Sequence, residues 1–102
     1  MDMNKLVMQA QQMQRKIEKK QKELENSEFL FESNSGAVKI KMKGNKEIVS
    51  LDINKDLIDP SEKEMLEDII IVAINNAMAS IQEEMDKLIA SFGKNIKMPG
   101  VF

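Results

Sequence analysis

A chain of 102 residues, 42% apolar and 31% charged, is long enough for one globular domain and too short for two. It contains no cysteine and no histidine, which removes disulfide frameworks, thiolate chemistry and the commonest general base and metal ligand. The net charge of −2 conceals a division: residues 1–46 carry ten Lys or Arg against six Asp or Glu, whereas residues 47–92 carry three against eleven. A basic surface at one end of the fold, as a polyanion requires, is compatible with that division. So are charges that only solvate two outer faces.

The first predicted element is a helix over about residues 3–25, rich in Gln, Met, Lys and Glu. Its apolar positions Met3, Leu6, Ala10, Met13, Ile17 and Leu24 are spaced as a narrow helix seam, broken where Lys20 takes the next place. Outside the seam, Lys5, Gln9, Gln12, Lys16, Lys19 and Lys22 face solvent. A helix with so thin a stripe projects from the body of the protein, and such a face can meet phosphates and base edges or simply remain hydrated.

Three short strands follow, over about 28–33, 37–43 and 47–53. Phe29-Leu30-Phe31 marks the first, and Ser33-Asn34-Ser35-Gly36 supplies turn residues. The second alternates Val38, Ile40 and Met42 with Lys39, Lys41 and Lys43, the pattern of a half-buried strand. Gly44-Asn45 predicts a tight hairpin into the third, where Val49, Leu51 and Ile53 alternate with Ser50 and Asp52. The Lys row is the strongest basic feature. It is either a row of phosphate contacts ~6.7 Å apart or an edge strand guarded by lysine against aggregation.

Asp59-Pro60-Ser61-Glu62 predicts a capped start for a long helix over about 60–92. Leu66, Ile70, Ala73, Ala77, Ile81, Met85, Leu88 and Phe92 form one stripe, and around Ile69–Ile74 the apolar residues run most of the way round. That excess, and a sheet with two free edges, predict a homodimer with Ile70, Ile74, Ala77, Met78 and Ile81 at the interface. Within the tail, residues 93–102, Pro99-Gly100 presents Val101-Phe102 to a neighbouring subunit or partner.

No catalytic arrangement emerges. Glu67-Asp68 and Glu83-Glu84 diverge on a helix, and Glu64 with Asp68 make an incomplete metal site. The four glycines are isolated, so no phosphate loop or dinucleotide fingerprint exists, and no cofactor or metal is expected. With no Tyr or Trp, stacking of single-stranded bases is disfavoured. The N-terminus lacks a signal-peptide pattern and no apolar run approaches ~20 residues, so a cytoplasmic protein without a membrane partner is expected.

Several segments together resemble the YbaB/EbfC family of nucleoid-associated DNA-binding proteins. They are Gln9-Ala10-Gln11-Gln12-Met13-Gln14, Gly36-Ala37-Val38-Lys39-Ile40, Met42-Lys43-Gly44, Leu66-Glu67-Asp68-Ile69-Ile70, Ala73-Ile74-Asn75-Asn76-Ala77 and Met98-Pro99-Gly100-Val101-Phe102. The resemblance implies α+β, α-β-β-β-α subunits whose helices extend from a shared dimer core like the arms of tweezers. It also implies non-catalytic binding of duplex DNA, with effects on nucleoid organisation and gene expression. The chain departs from the family at Ser33-Asn34-Ser35-Gly36, where a Gly-rich turn is common, at Asn76 for Asp, and at Gly93-Lys94 for a glycine pair. Charge and spacing nominate Lys5, Lys16, Lys19, Lys22, Lys39, Lys41 and Lys43 as the DNA contacts. The competing reading is a protein-interaction adaptor that docks a partner through the Met-rich first helix and the tail.

Overall fold

A strand that alternates Val38, Ile40 and Met42 with three lysines must bury the first row and hydrate the second. In the computed structural model, which describes residues 2–93, that strand is β2 (Val38–Lys43). It lies at the centre of a three-stranded antiparallel sheet, between β1 (Glu28–Ser33) and β3 (Ile48–Ile53). Helix α1 (Met3–Asn26) precedes the sheet and α2 (Lys63–Gly93) follows it, giving the expected α-β-β-β-α order of an α+β fold.

The core is the meeting of β2 with α2. Val38, Ile40 and Met42 are buried beneath Ala73, Ala77 and Ile81, which recur every four residues on one helix face. The two alanines let the helix backbone approach the sheet closely. Phe29 and Phe31 pair across from Met42 and Ile40, so they share the helix-facing side and extend the core under β1. Their rings are stacked at 6.3 Å.

Helix α2 covers β1 and β2 and leaves β3 largely bare. Ile53 and Leu51 pair with Val38 and Ile40, as alternation predicts, but a bulge opposite Lys41 and Met42 puts Ile48, not Val49, across from Met42. Ile48, Val49 and Leu51 are all exposed, and of β3 only Ile53 is half-buried.

Local chemistry fixes the ends of the elements. Asp2 caps α1 by accepting the Asn4 amide at 3.1 Å. Asp59 begins a short 3-10 turn, Pro60–Glu62, rather than the α-helix itself, which starts at Lys63. Its carboxylate accepts the Ser61 amide at 3.0 Å and the Ser61 hydroxyl at 2.8 Å. Those bonds hold its pKa below the ordinary aspartate range, the backbone amide contributing most. The cap is therefore complete at neutral pH and is lost only as pH falls through that lowered value.

Helix α1 buries no side chain completely. Met13, Ile17, Gln21 and Leu24 are half-buried along one seam, so the stripe steps from Ile17 to Gln21 and leaves the predicted break, Lys20, in solvent. The C-terminal turns of α1 meet α2 near Glu84 and Leu88, where Lys20 and Leu24 line a shared groove. Nearer the N-terminus, Met3, Leu6, Val7 and Met8 are exposed. The molecule is correspondingly elongated, 71 × 23 × 17 Å.

The β1–β2 turn holds Asn34, Ser35 and Gly36 at φ of 54°, 58° and 87°. Asparagine and glycine adopt this left-handed region readily, whereas at Ser35 it costs about 1–2 kcal/mol. Ser35→Gly should therefore stabilise the protein by about 0.5 kcal/mol after the entropy of the added glycine is subtracted. Thermal unfolding followed by circular dichroism should show a rise in Tm of about 2–4 °C. A fall in Tm would show that Ser35 is not strained.

Candidate nucleic-acid interface

The nominated lysines divide between two surfaces whose electrostatics differ. Lys39 and Lys41 are exposed and Lys43 half-exposed on the face of the sheet that α2 leaves free. Because β2 is central and hydrogen-bonded on both sides, lysine has no edge to guard there, and the edge-strand reading is overturned.

The register also surrounds the Lys row with acids. Lys39 stands between Glu32 and Asp52, and Lys43 faces Glu28. Lys43 Nζ lies 4.0 Å from Glu47 Oε2 as well. Cross-strand neighbours sit about 4.5–5.5 Å apart at Cβ, well inside a Debye length of ~8 Å, so their fields oppose at the distance of a bound phosphate. Only Lys41, between Leu30 and Ser50, lacks an acidic cross-strand neighbour. Three lysines against Glu28, Glu32, Asp52 and Glu47 leave this face without net positive charge.

Helix α1 is different. Lys5, Gln9, Gln12, Lys16 and Lys19 recur at spacings of three and four and share one exposed face. That face lies roughly 110° round the helix from the half-buried seam, at about 100° per residue. Arg15 and Lys22 lie still further round, opposite the seam, and both are exposed. Arg15 was not nominated from the sequence, although its spacing of four from Lys19 and seven from Lys22 places it with them. Between Met3 and Lys22 there are six basic residues and one acid, Glu18. Among the described residues only Lys20 of these six has a carboxylate within 4.0 Å, Glu23 at 3.6 Å. Lys5, Lys16, Lys19 and Lys22 therefore lie on one projecting arm, apart from the Lys row of the sheet.

The comparisons with known proteins agree with a nucleic-acid partner. The profile of the YbaB/EbfC DNA-binding family matches residues 1–96. The chain belongs to that family. A nucleoid-associated protein of Clostridium novyi (strain NT) is 41% identical over all of this chain and 90% of its own length. One from Malacoplasma penetrans (strain HF-2) is 49% identical over 86% of this chain and 93% of its own length. An uncharacterized protein from Helicobacter pylori, known by crystal structure, shares the fold at a TM-score of 0.71. It is 21% identical and is covered over 96% of its length, with 89% of this chain. The family is one of nucleoid-associated DNA-binding proteins, which supports DNA as the partner. No helix among the described residues is long and apolar enough to cross a membrane.

The nominated interface residues also divide. Ala77 and Ile81 are 1% and 0% exposed within the protomer, so they are consumed by its own core and offer no surface to a second copy. Ile70, Ile74 and Met78 are half-buried. Asn76 and Ser80 line a groove against β1, which puts Ile71, Ile74 and Met78 on the opposite flank of α2, toward β3. Ile71, 55% exposed on that flank, was not nominated, because the number of apolar residues around the helix does not say which arc the sheet takes. The expected docking of residues 98–102 lies outside the described residues.

Proposed function

We propose that this protein binds duplex DNA as a homodimer, contacts phosphates chiefly through α1, and thereby influences nucleoid organisation and gene expression in the bacterial cytoplasm. The observation that carries the reading is the run Lys5, Arg15, Lys16, Lys19 and Lys22 on an exposed arm of a DNA-binding family, where these cations outnumber the neighbouring acids Glu18 and Glu23. The contacts are electrostatic, and little sequence readout is expected of them, since lysine on phosphate carries no base information. The Lys39, Lys41 and Lys43 row contributes less than spacing alone implies, because the acids beside it repel the same phosphates.

Dimerisation answers a shortage of cover. Ile48 and Leu51 on the helix-facing side of β3, together with Ile71 and the half-buried Ile74 and Met78, make one apolar flank beside the free outer edge of β3. Pairing two such flanks buries both and covers the outer edge of β3 in each copy. A second reading, the adaptor, is favoured by the exposed Met3, Leu6, Val7 and Met8 near the end of α1. Under that reading the arm carries a protein and DNA association is incidental.

Two measurements separate these statements. In mobility-shift titrations over a range of salt, changing Lys16, Lys19 and Lys22 together to Gln should flatten the slope of log K against log salt by up to ~3 units for each contributing protomer. Changing Lys39, Lys41 and Lys43 together should flatten it by less than ~1. The opposite ranking would move the interface to the sheet, and a wild-type protein that fails to shift duplex DNA at low salt would leave the adaptor as the better account. In sedimentation equilibrium, Ile71→Asp should convert a dimer to a folded monomer at low micromolar concentration, since the charge stays hydrated at this exposed position of the protomer but loses its hydration in the interface. A wild-type protein that is already monomeric there contradicts the dimer.

A further inference from the structure

The β2–β3 turn does more than reverse the chain. Its loop is Gly44-Asn45-Lys46, closed by the Lys46 amide donating to the Lys43 carbonyl at 2.8 Å, with Lys46 at φ 71°. From this loop the Gly44 amide donates to the Ser27 carbonyl at 3.0 Å and the Asn45 amide to the Glu25 carbonyl at 3.2 Å. The turn thus binds the carbonyl end of α1, groups that a helix terminus leaves without intrahelical partners. On its other side Lys46 Nζ donates to Gln82 Oε1 at 2.8 Å, and Gln82 Nε2 donates to Asp86 Oδ1 at 3.0 Å on α2.

Contact at Gly44 is close. A Cβ added there would lie 1.8 Å from the Leu24 carbonyl oxygen and 2.5 Å from its carbon. Backbone meets backbone, so no side-chain rotation relieves it.

We propose that Gly44, together with the Lys46 to Gln82 hydrogen bond, positions α1 for DNA binding by setting the direction in which the arm leaves the sheet. The proposal rests on the reading of α1 as the DNA-contacting element. Helix α1 has no buried side chain to set its direction, only a half-buried seam ending at Leu24 beside this turn. To admit a methyl group at Gly44 the turn and the end of α1 must part by about 1.5 Å, and we assign that movement to α1, the element without a buried side chain. Acting over the ~10 Å from there to Ile17, that shift tilts the helix by about 9° and moves its far end, ~21 Å beyond Ile17, by about 3 Å. In a dimer both arms move, and the lysines leave the positions at which they meet phosphates together. Gly44 is therefore a positioning residue that touches no DNA.

The test uses the absence of cysteine, which lets nitroxide labels attach only at introduced sites. Labels at Gln11→Cys and Ala79→Cys, in dimers diluted with unlabelled chain, report the distance from α1 to α2 by double electron–electron resonance. Gly44→Ala should shift the distance by a few ångströms and weaken duplex binding at least tenfold, while the far-ultraviolet helix signal persists. If Gly44→Ala does not fold, Gln82→Leu decides: it leaves the charge unchanged, and it should broaden the distance distribution and flatten the salt slope, with Gln82→Glu restoring both through a carboxylate partner for Lys46. Wild-type distances in the folded variants overturn the proposal. So do altered distances with wild-type affinity and salt slope. A wild-type chain that binds no duplex at any salt defeats the assignment of α1 to DNA instead, and the distances still report whether the turn directs the arm.

Discussion

Everything in this fold depends on one close contact, the seating of Ala73, Ala77 and Ile81 on Val38, Ile40 and Met42. Six residues are few to hold a chain of this length, since small domains bury a smaller fraction of their apolar surface than large ones. The contact fixes which face of the sheet is covered, and hence that the three lysines of β2 point to water. It also fixes which arc of α2 is used, leaving Ile71 and its neighbours on the β3 side uncovered. The open flank and the exposed arm follow from how narrow the core is.

Much of this was legible in the residues because two periods are unambiguous. Alternation at 38–43 identified β2 and its buried row, and spacings of three and four identified both helices. Of the predicted α1 seam, Met13, Ile17 and Leu24 are half-buried and Met3, Leu6 and Ala10 are exposed; Gln21 takes the step after Ile17, because an amide on a half-buried helix surface is cheaper to desolvate than the ammonium of Lys20. Other features depend on register and tertiary placement, which single-strand patterns do not contain. The bulge that displaces Val49 requires knowledge of two strands at once. Ile74 lies beside the stripe that holds Ala77 and Ile81, and only the position of the sheet separates core from open flank. Gly44 reads as a turn glycine, yet its φ is not the reason for it; the Leu24 carbonyl is.

The candidate interface shows the same division. Counting lysines favoured β2, where three of them alternate in six residues. Pairing changed the outcome, because β1 and β3 bring Glu28, Glu32 and Asp52 alongside. On α1 the basic residues instead outnumber their acidic neighbours: six lie between Met3 and Lys22, with Glu18 the one acid among them and Glu23 just beyond. Net charge of the whole chain therefore says little about affinity for DNA. What matters is that the acidic residues are concentrated on α2 and the segment before it, away from the arm.

The central question for this protein is whether DNA meets α1 rather than the outer face of the sheet. Chemical-shift mapping of the isotopically labelled protein with a short duplex at low salt tests this most directly. The largest perturbations should fall at Lys5, Arg15, Lys16, Lys19 and Lys22 and their neighbours, with the amides of Lys39, Lys41 and Lys43 nearly unmoved. Perturbations concentrated on Lys39–Lys43, with α1 unchanged, would contradict contact through α1.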